Sequence, residues 1–107
     1  MNDYVERIIR LISQDRFRLT EHADKEREND GLRISDFRNA FATSVLIEDY
    51  PKDQRGHSSL ILGYAHSERP IHIVCAIDKN DIVVIITVYI PTMPKWKSPT
   101  ERNRQNE

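Results

Sequence analysis

The chain has 107 residues, with 16 basic and 17 acidic side chains and a formal net charge of −1. This length suits one domain with a single core, and the balanced charge excludes a nucleic-acid binder that works by bulk charge, although not one with a local basic patch. Cys75 is the one cysteine, which excludes an intrachain disulfide, and no N-terminal segment resembles a signal peptide or a membrane span, so we expect a cytoplasmic protein.

The first predicted element is an amphipathic helix within residues 1–16. From Val5 onward, apolar side chains recur at the i, i+3, i+4 and i+7 spacing of one helix face. Asn2 or Asp3 can cap its start. Residues 17–19 follow as a short extended piece.

A second helix is predicted from about residue 21 to residue 30. Thr20 is its candidate N-cap, and Gly31 supplies the left-handed residue that ends it. Ala23 is its only small hydrophobic side chain, and so polar a segment does not stay helical alone. Either tertiary contacts hold this helix, or its polar side chains have a task.

A third helix and a strand complete the first half of the chain. Ser35 is the candidate cap of this helix, and Phe37, Ala40 and Phe41 form its buried stripe. Residues 45–50 form the predicted strand.

Three further runs, residues 58–65, 71–78 and 82–90, predict an antiparallel meander, because turn-forming residues separate them. The fold class is therefore α+β: N-terminal helices packed on an antiparallel sheet of three to five strands. We expect one domain over residues 1–107, with a frayed polar tail at residues 99–107.

The register of the meander follows from the two turns. We expect Lys79-Asn80 and Glu68-Arg69 to be two-residue turns, and both assignments place the same side chains on one face. The side chains predicted to face the helices are Leu60, Leu62, Tyr64, Ile71, Ile73, Cys75, Ile77, Ile82, Val84, Ile86 and Val88.

The other face of the meander is predicted to group His72, Thr87 and Tyr89 at one end, with His72 opposite Thr87. One interpretation is a satisfied polar pair at the end of a sheet. The other is a polar cluster on an open face that holds or deprotonates a ligand hydroxyl.

A second candidate site lies on the predicted second helix. His22 and Glu26 are four residues apart and share a face, and a helix N-terminus welcomes an anion such as phosphate. The alternative is a solvated charged helix with His22 packing at its start. None of the four histidines pairs with the cysteine or with another histidine at metal-binding spacing, so no metal site is predicted.

The C-terminal segment is a basic patch around one aromatic side chain. Trp96 could stack on a base while Lys95, Lys97 and Arg102, together with Arg104, contact phosphates. The alternative is that Trp96 folds over the edge of the sheet and anchors the tail.

Together these segments resemble the domain of unknown function 4258 family. The segments that carry the resemblance, in order, are TEHA at 20–23 with Arg27, ISDF at 34–37, IEDYP at 47–51, LGY at 62–64, PIHIV at 70–74, ITVY at 86–89 and PTMPKW at 91–96. The resemblance covers residues 17–104, with the family core at 17–98.

That family in turn resembles the RelE/BrnT-like toxins of type II toxin–antitoxin systems. The resemblance implies an endoribonuclease that acts on mRNA without a metal or other cofactor and is neutralised by a cognate antitoxin, for which a zinc-finger protein is one candidate.

The same resemblance implies roles for particular residues. His22 or His72 would be the base or acid, Arg27, Lys95 or Arg102 would stabilise the phosphate, and Tyr89 would orient the substrate. RNA binding would fall to Lys95, Trp96, Lys97 and Arg102. The competing hypothesis is a non-catalytic protein-binding module of toxin-like fold.

Overall fold

Five strands form one sheet, with three helices packed against it, in the computed structural model, which describes residues 3–54, 56–93 and 95–103. The elements in chain order are α1 Asp3–Ser13, β1 Phe17–Leu19, α2 Glu21–Asn29, α3 Ile34–Ala42, β2 Val45–Tyr50, β3 Ser58–Tyr64, β4 Pro70–Ile77, β5 Val83–Tyr89, β6 Trp96–Ser98 and β7 Glu101–Arg102. The sheet order is β1-β5-β4-β3-β2, and β6 and β7 form a separate hairpin. None of the helices in the described part is long and apolar enough to cross a membrane.

The α+β class is confirmed, with two corrections to the architecture. The helices do not all precede the strands, because β1 lies between α1 and α2. The sheet is also not wholly antiparallel, since β1 pairs with β5 in parallel at the far edge from β2. The remaining three pairings are antiparallel, and two of them, β3–β4 and β4–β5, form the predicted meander.

The second helix starts and ends as its sequence predicts, whereas α1 is shorter than the predicted range 1–16 and includes Asp3, one of its candidate caps, as a helical residue. The apolar face of α1 is buried, and its candidate cap Asn2 lies outside the described residues. Thr20 caps α2 by accepting a hydrogen bond from the backbone NH of Ala23, and Gly31 follows the helix with φ +67°.

The third helix begins earlier than predicted. Its N-cap residue is Arg33 and not Ser35. The carboxylate of Asp36 accepts hydrogen bonds from the backbone NH groups of Arg33, at 2.8 Å, and of His66, at 3.0 Å. Asp36 therefore closes the helix start and also ties it to the loop between β3 and β4. The predicted stripe of Phe37, Ala40 and Phe41 is buried.

Both predicted two-residue turns are wrong. Ile77 opposes Val83 and not Ile82, because the Asp78 carboxylate accepts hydrogen bonds from the NH groups of Asn80 and Ile82 and widens the turn. In the other hairpin, Tyr64 opposes Pro70, and the Ala65 NH donates to the Arg69 carbonyl. Asp81 and Glu68 adopt positive φ angles within these turns.

In the observed register, some of the side chains predicted to face the helices lie on the opposite face of the sheet. Leu62 opposes His72, so Leu60, Leu62 and Tyr64 lie on the face away from the helices, as does Val84 opposite Ala76. The buried side chains of the helix-facing core are Val5, Ile8, Leu11, Ile12, Ala23, Leu32, Phe37, Ala40, Phe41, Ile61, Ala65, Ile71, Ile73, Cys75, Val83, Ile85 and Val88.

The hairpin β6–β7 covers part of the second face of the sheet, which is the face away from the helices. Its Trp96 is only 2% exposed and contacts His72, and its Arg102 pairs with Glu48 of β2. Residues 99–103 thus form the turn and second strand of this hairpin, which corrects the expected frayed tail at those positions. Residues 104–107, including Arg104, lie outside the described part of the chain.

Candidate active site

The centre of the site is a hydrogen-bonded pair between neighbouring strands. His72 of β4 lies opposite Tyr89 of β5, with 3.1 Å between its Nδ1 and the Tyr89 hydroxyl. Its Nε2 lies 2.6 Å from the backbone carbonyl oxygen of Pro99. A carbonyl only accepts, so Nε2 carries the proton and Nδ1 accepts a hydrogen bond from Tyr89.

The sequence predicts this grouping, but with a different pairing. Tyr89 opposes His72, and Thr87 opposes Val74. Ile86 has no partner on β4, because Cys75 pairs with Ile85 and Val74 with Thr87. This β-bulge shifts the register of β5, so that Thr87 and Tyr89 share the face that carries His72.

The surroundings of the pair keep both rings uncharged. His72 is fully buried, and its ring lies at right angles to the Trp96 ring, with 4.3 Å between the two ring centroids. Burial lowers the pKa of His72, although the hydrogen bond to Pro99 opposes this shift. Burial also raises the pKa of Tyr89, opposed by the neighbouring Trp96 and Arg102 side chains. The imidazole and the phenol are therefore a neutral pair at neutral pH.

The hairpin over this pair is held by an ion pair. Arg102 contacts Glu48 through two nitrogens, at 2.7 and 2.8 Å, and its guanidinium lies 4.7 Å from the centroid of the Trp96 ring. The indole Nε1 of Trp96 is buried and makes no hydrogen bond to any residue that the structure describes. Trp96 and Arg102 are thus engaged inside the fold, which matches the alternative that Trp96 anchors the tail.

The side chains of α2 extend the site along β5. β1 pairs with β5 only as far as Ile85, and beyond that point α2 takes its place. Thr20 donates its hydroxyl to the Ile86 carbonyl at 2.9 Å. Glu26 Oε1 accepts hydrogen bonds from the Val88 NH, at 3.0 Å, and from the Thr87 hydroxyl. Tertiary contacts therefore hold this polar helix.

His22 is the exposed acid–base group of this region. Its side chain is 71% exposed, and its Nε2 lies 3.4 Å from Glu26 Oε1, as the i, i+4 spacing predicts. The sequence predicts that Glu26 shares a face with His22 but does not identify it as a site residue. The missing information was its contact with β5, for which the i, i+4 spacing gives no signal.

Arg27 is engaged elsewhere. Its Nε lies 2.7 Å from the Asp24 carboxylate, and its Nη1 donates to the Leu32 carbonyl at 3.3 Å. Within the described residues it makes no hydrogen bond or ion pair with His22, His72 or Tyr89. Its predicted catalytic role stays a prediction.

The two lysines of the basic patch are exposed. Lys95 and Lys97 lie at the start of the hairpin, and Lys97 Nζ is 3.4 Å from the Glu101 carboxylate across it. They remain accessible to an anionic ligand, and their RNA contacts stay a prediction.

Two sets of hydrogen-bonded side chains thus meet at neighbouring positions on one face of β5. Thr87 and Tyr89 are alternate residues on one face, about 7 Å apart along the strand. Thr87 donates a hydrogen bond to Glu26, which lies beside His22, and Tyr89 is hydrogen-bonded to His72. Burial raises the pKa of Tyr89 most, and the negative charges of Glu48 and then Glu26 add to this rise. Among residues 3–54, 56–93 and 95–103, no group of three or more His, Cys, Asp or Glu side chains is placed to hold a metal.

Residues 19–90 match the family described as domain of unknown function (DUF4258). The chain belongs to this family. No curated protein sequence and no solved structure matches the chain. The part that matches DUF4258 includes His22, Glu26, His72 and Tyr89, and it ends before the hairpin that carries Trp96 and Arg102.

Proposed function

We propose that this protein is a metal-independent endoribonuclease that acts on mRNA in the cytoplasm as the toxin of a type II toxin–antitoxin pair. The observation that carries the proposal is the placement of the His22–Glu26 pair beside the Tyr89–His72 pair on β5. The resemblance to RelE/BrnT-like toxins supports the cellular role and a cognate antitoxin as the partner.

The reaction needs proton transfer but no metal. The 2′-hydroxyl oxygen attacks the adjacent phosphorus, the bond from phosphorus to the 5′ oxygen breaks, and a 2′,3′-cyclic phosphate and a 5′-hydroxyl result. His22 takes the proton of the 2′-hydroxyl and returns it to the leaving 5′ oxygen. Glu26, whose Oε1 lies 3.4 Å from His22 Nε2, orients the imidazole.

Tyr89 is suited to orient the substrate. Because its hydroxyl hydrogen points to His72 Nδ1, its oxygen lone pairs are free to accept a hydrogen bond from a ribose hydroxyl. His22 lies in the first turn of α2, where the helix dipole favours a phosphate. Lys95 and Lys97 supply positive charge for the RNA backbone.

A cleavage assay with matched histidine variants tests this function. The purified protein is incubated with single-stranded RNA in excess EDTA, with and without ribosomes, and the products are examined for cyclic phosphate ends. We expect His22→Gln to reduce cleavage about 10²- to 10⁴-fold. His66→Gln, at an exposed histidine in the loop between β3 and β4, is the control and should cleave normally.

Induction in a bacterial host gives a second readout. The wild-type chain should arrest growth, His22→Gln should not, and co-expression of the neighbouring small reading frame should relieve the arrest. An absence of both cleavage and growth arrest in the wild-type protein would contradict the proposal.

A second candidate is a non-catalytic protein-binding module. It is favoured by the full burial of His72 and by a mainly apolar trough of about 400 Å³, lined in part by Arg18, Ala76, Val84 and Ile86. In that case, co-purification with the product of the neighbouring reading frame would survive His22→Gln and be lost in Val84→Asp, with no RNA cleavage by either protein.

A further inference from the structure

The contact between the Pro99 carbonyl and His72 joins the hairpin to the site. Pro99 lies in the turn between β6 and β7, and its carbonyl oxygen is 2.6 Å from His72 Nε2. This carbonyl decides which ring nitrogen carries the proton, and therefore which way the Tyr89 hydroxyl points. A backbone atom of the hairpin thus sets the hydrogen-bonding direction of a side chain on β5.

The hairpin is too small to hold this position alone. Its paired positions are Trp96 with Arg102 and Ser98 with Glu101, and an isolated two-stranded hairpin is marginal in water even when it is longer. Its attachment must come from contacts with the sheet. The Trp96 ring packs at right angles to the His72 ring, and Arg102 reaches across to Glu48.

Glu48 is placed for this contact by a β-bulge in β2. Leu46 pairs with Ile61 and Glu48 with Leu60, so that Ile47 is the extra residue and Glu48 turns onto the second face of the sheet. Its carboxylate accepts hydrogen bonds from two nitrogens of Arg102 and from the Tyr50 hydroxyl. Both ionic side chains are about three-quarters buried, at 26% exposed for Arg102 and 24% for Glu48, so this pair is screened less than a surface pair.

We propose that Glu48 and Arg102 are positioning residues, whose ion pair holds the Pro99 carbonyl on His72 Nε2 so that Nδ1 is the acceptor for Tyr89. The inference rests on the proposed ribonuclease function for its catalytic meaning. It gives Arg102 a different role from a phosphate contact. When the ion pair is broken, Nε2 loses its acceptor, the imidazole exchanges between tautomers, and Tyr89 no longer presents its oxygen in one orientation.

The tautomer of His72 is measured directly by a long-range ¹H–¹⁵N correlation spectrum of the full chain without RNA. The wild-type ring should show the pattern of a proton on Nε2 alone. Arg102→Gln and Glu48→Gln should each give averaged nitrogen shifts. Lys97→Gln is the control, because it breaks the Lys97–Glu101 pair of the same hairpin, whose side chains are 70% and 63% exposed.

Steady-state cleavage separates positioning from RNA binding. A positioning role predicts that Arg102→Gln lowers kcat by about ten- to a hundredfold with little change in KM, whereas a phosphate contact predicts a raised KM. Arg102→Lys should recover part of the loss. If Arg102→Gln fails to fold, Glu48→Gln decides, since glutamine keeps the size and one acceptor of the side chain.

The two proposals fail separately. An unchanged single tautomer in the folded Gln variants would overturn the positioning role, whatever the activity. Averaged nitrogen shifts in the Gln variants of a protein that does not cleave RNA would support the positioning role and contradict the ribonuclease function.

Discussion

Glu26 of α2 accepts a hydrogen bond from the backbone NH of Val88 in β5, with 3.0 Å between the two heavy atoms. A side-chain carboxylate thus stands where the next strand of the sheet would supply a carbonyl, because β1 pairs with β5 only over Val83–Ile85. The same oxygen accepts the Thr87 hydroxyl. This arrangement closes the edge of the sheet and brings His22 to it.

Removing this carboxylate should lower the stability of the fold. Glu26→Ala leaves the Val88 NH without its partner, and a hydrogen bond to a charged group contributes about 1.5–3 kcal/mol, so we expect a loss of about 2 kcal/mol in the free energy of unfolding. Urea denaturation measures this loss. Glu21→Ala, on the same helix but 86% exposed, is the control and should change stability by less than about 0.5 kcal/mol. Equal effects of the two substitutions would show that the contact with β5 contributes nothing.

The elements that the sequence predicts well are those with local signals. The periodic face of α1, the Thr20 cap and the Gly31 stop of α2, and the strand runs all follow from neighbours within a few residues, and all are confirmed. These signals depend on backbone chemistry that acts over one or two turns, so the rest of the fold hardly alters them.

The register could not be predicted in the same way. The length of the β4–β5 turn depends on whether the Asp78 carboxylate accepts hydrogen bonds from the NH groups of Asn80 and Ile82. It also depends on Asp81 adopting a positive φ. A shift by an odd number of residues exchanges the two faces. The grouping of His72 with Tyr89 was still found, because the bulge at Ile86 lies between the turn and the site.

The contacts that complete the site join distant parts of the chain. Glu26 meets Val88, and Glu48 meets Arg102, across 62 and 54 residues of sequence. From the sequence alone, charged side chains such as these are predicted to lie exposed on the surface. Only the packing of α2 and of the hairpin against the sheet reveals their roles.

A side chain at Gly63 should be poorly tolerated. A Cβ built there would lie 2.3 Å from the Ala40 carbonyl oxygen and 2.7 Å from its carbonyl carbon, so α3 or β3 must move. We expect Gly63→Ala to cost about 3 kcal/mol or more, as overpacking against backbone does. Gly31→Ala is the comparison, because its site is open and only its φ of +67° opposes the substitution, at about 1–2 kcal/mol. Thermal unfolding of both variants should rank Gly63→Ala as the less stable, and the opposite order would contradict the close packing of α3 on β3.

The hydroxyl of Tyr4 should stabilise the attachment of α1. It donates to the His57 carbonyl at 2.8 Å and accepts from the Ile77 NH at 2.9 Å, while the ring stacks on the His57 imidazole. Tyr4→Phe keeps the ring and leaves these two backbone groups without a partner, so we expect a loss of about 2 kcal/mol in chemical denaturation. Tyr64→Phe, at a more exposed position, is the control. Amide hydrogen exchange at Ile77 should quicken in Tyr4→Phe alone, and unchanged exchange there would rule out the bridging role.

Asp36 should make stability depend on pH in the acid range. Burial acts to raise the pKa of its carboxyl, but the backbone NH groups of His66 and Arg33 outweigh this effect and hold the pKa below its usual value. The unfolded chain therefore binds more protons, and the stabilisation is present above the unfolded pKa of about 3.9 and is lost as pH falls through the folded value. Asp36→Asn should be less stable than wild type at pH 7, and the gap between the two should narrow as pH falls below about 4. Denaturation midpoints from pH 7 to pH 2.5 measure that gap, and comparing the two proteins at each pH cancels the contributions of other carboxylates such as Asp49. A gap that stays constant across this range would mean that Asp36 is not the charged acceptor that closes the start of α3.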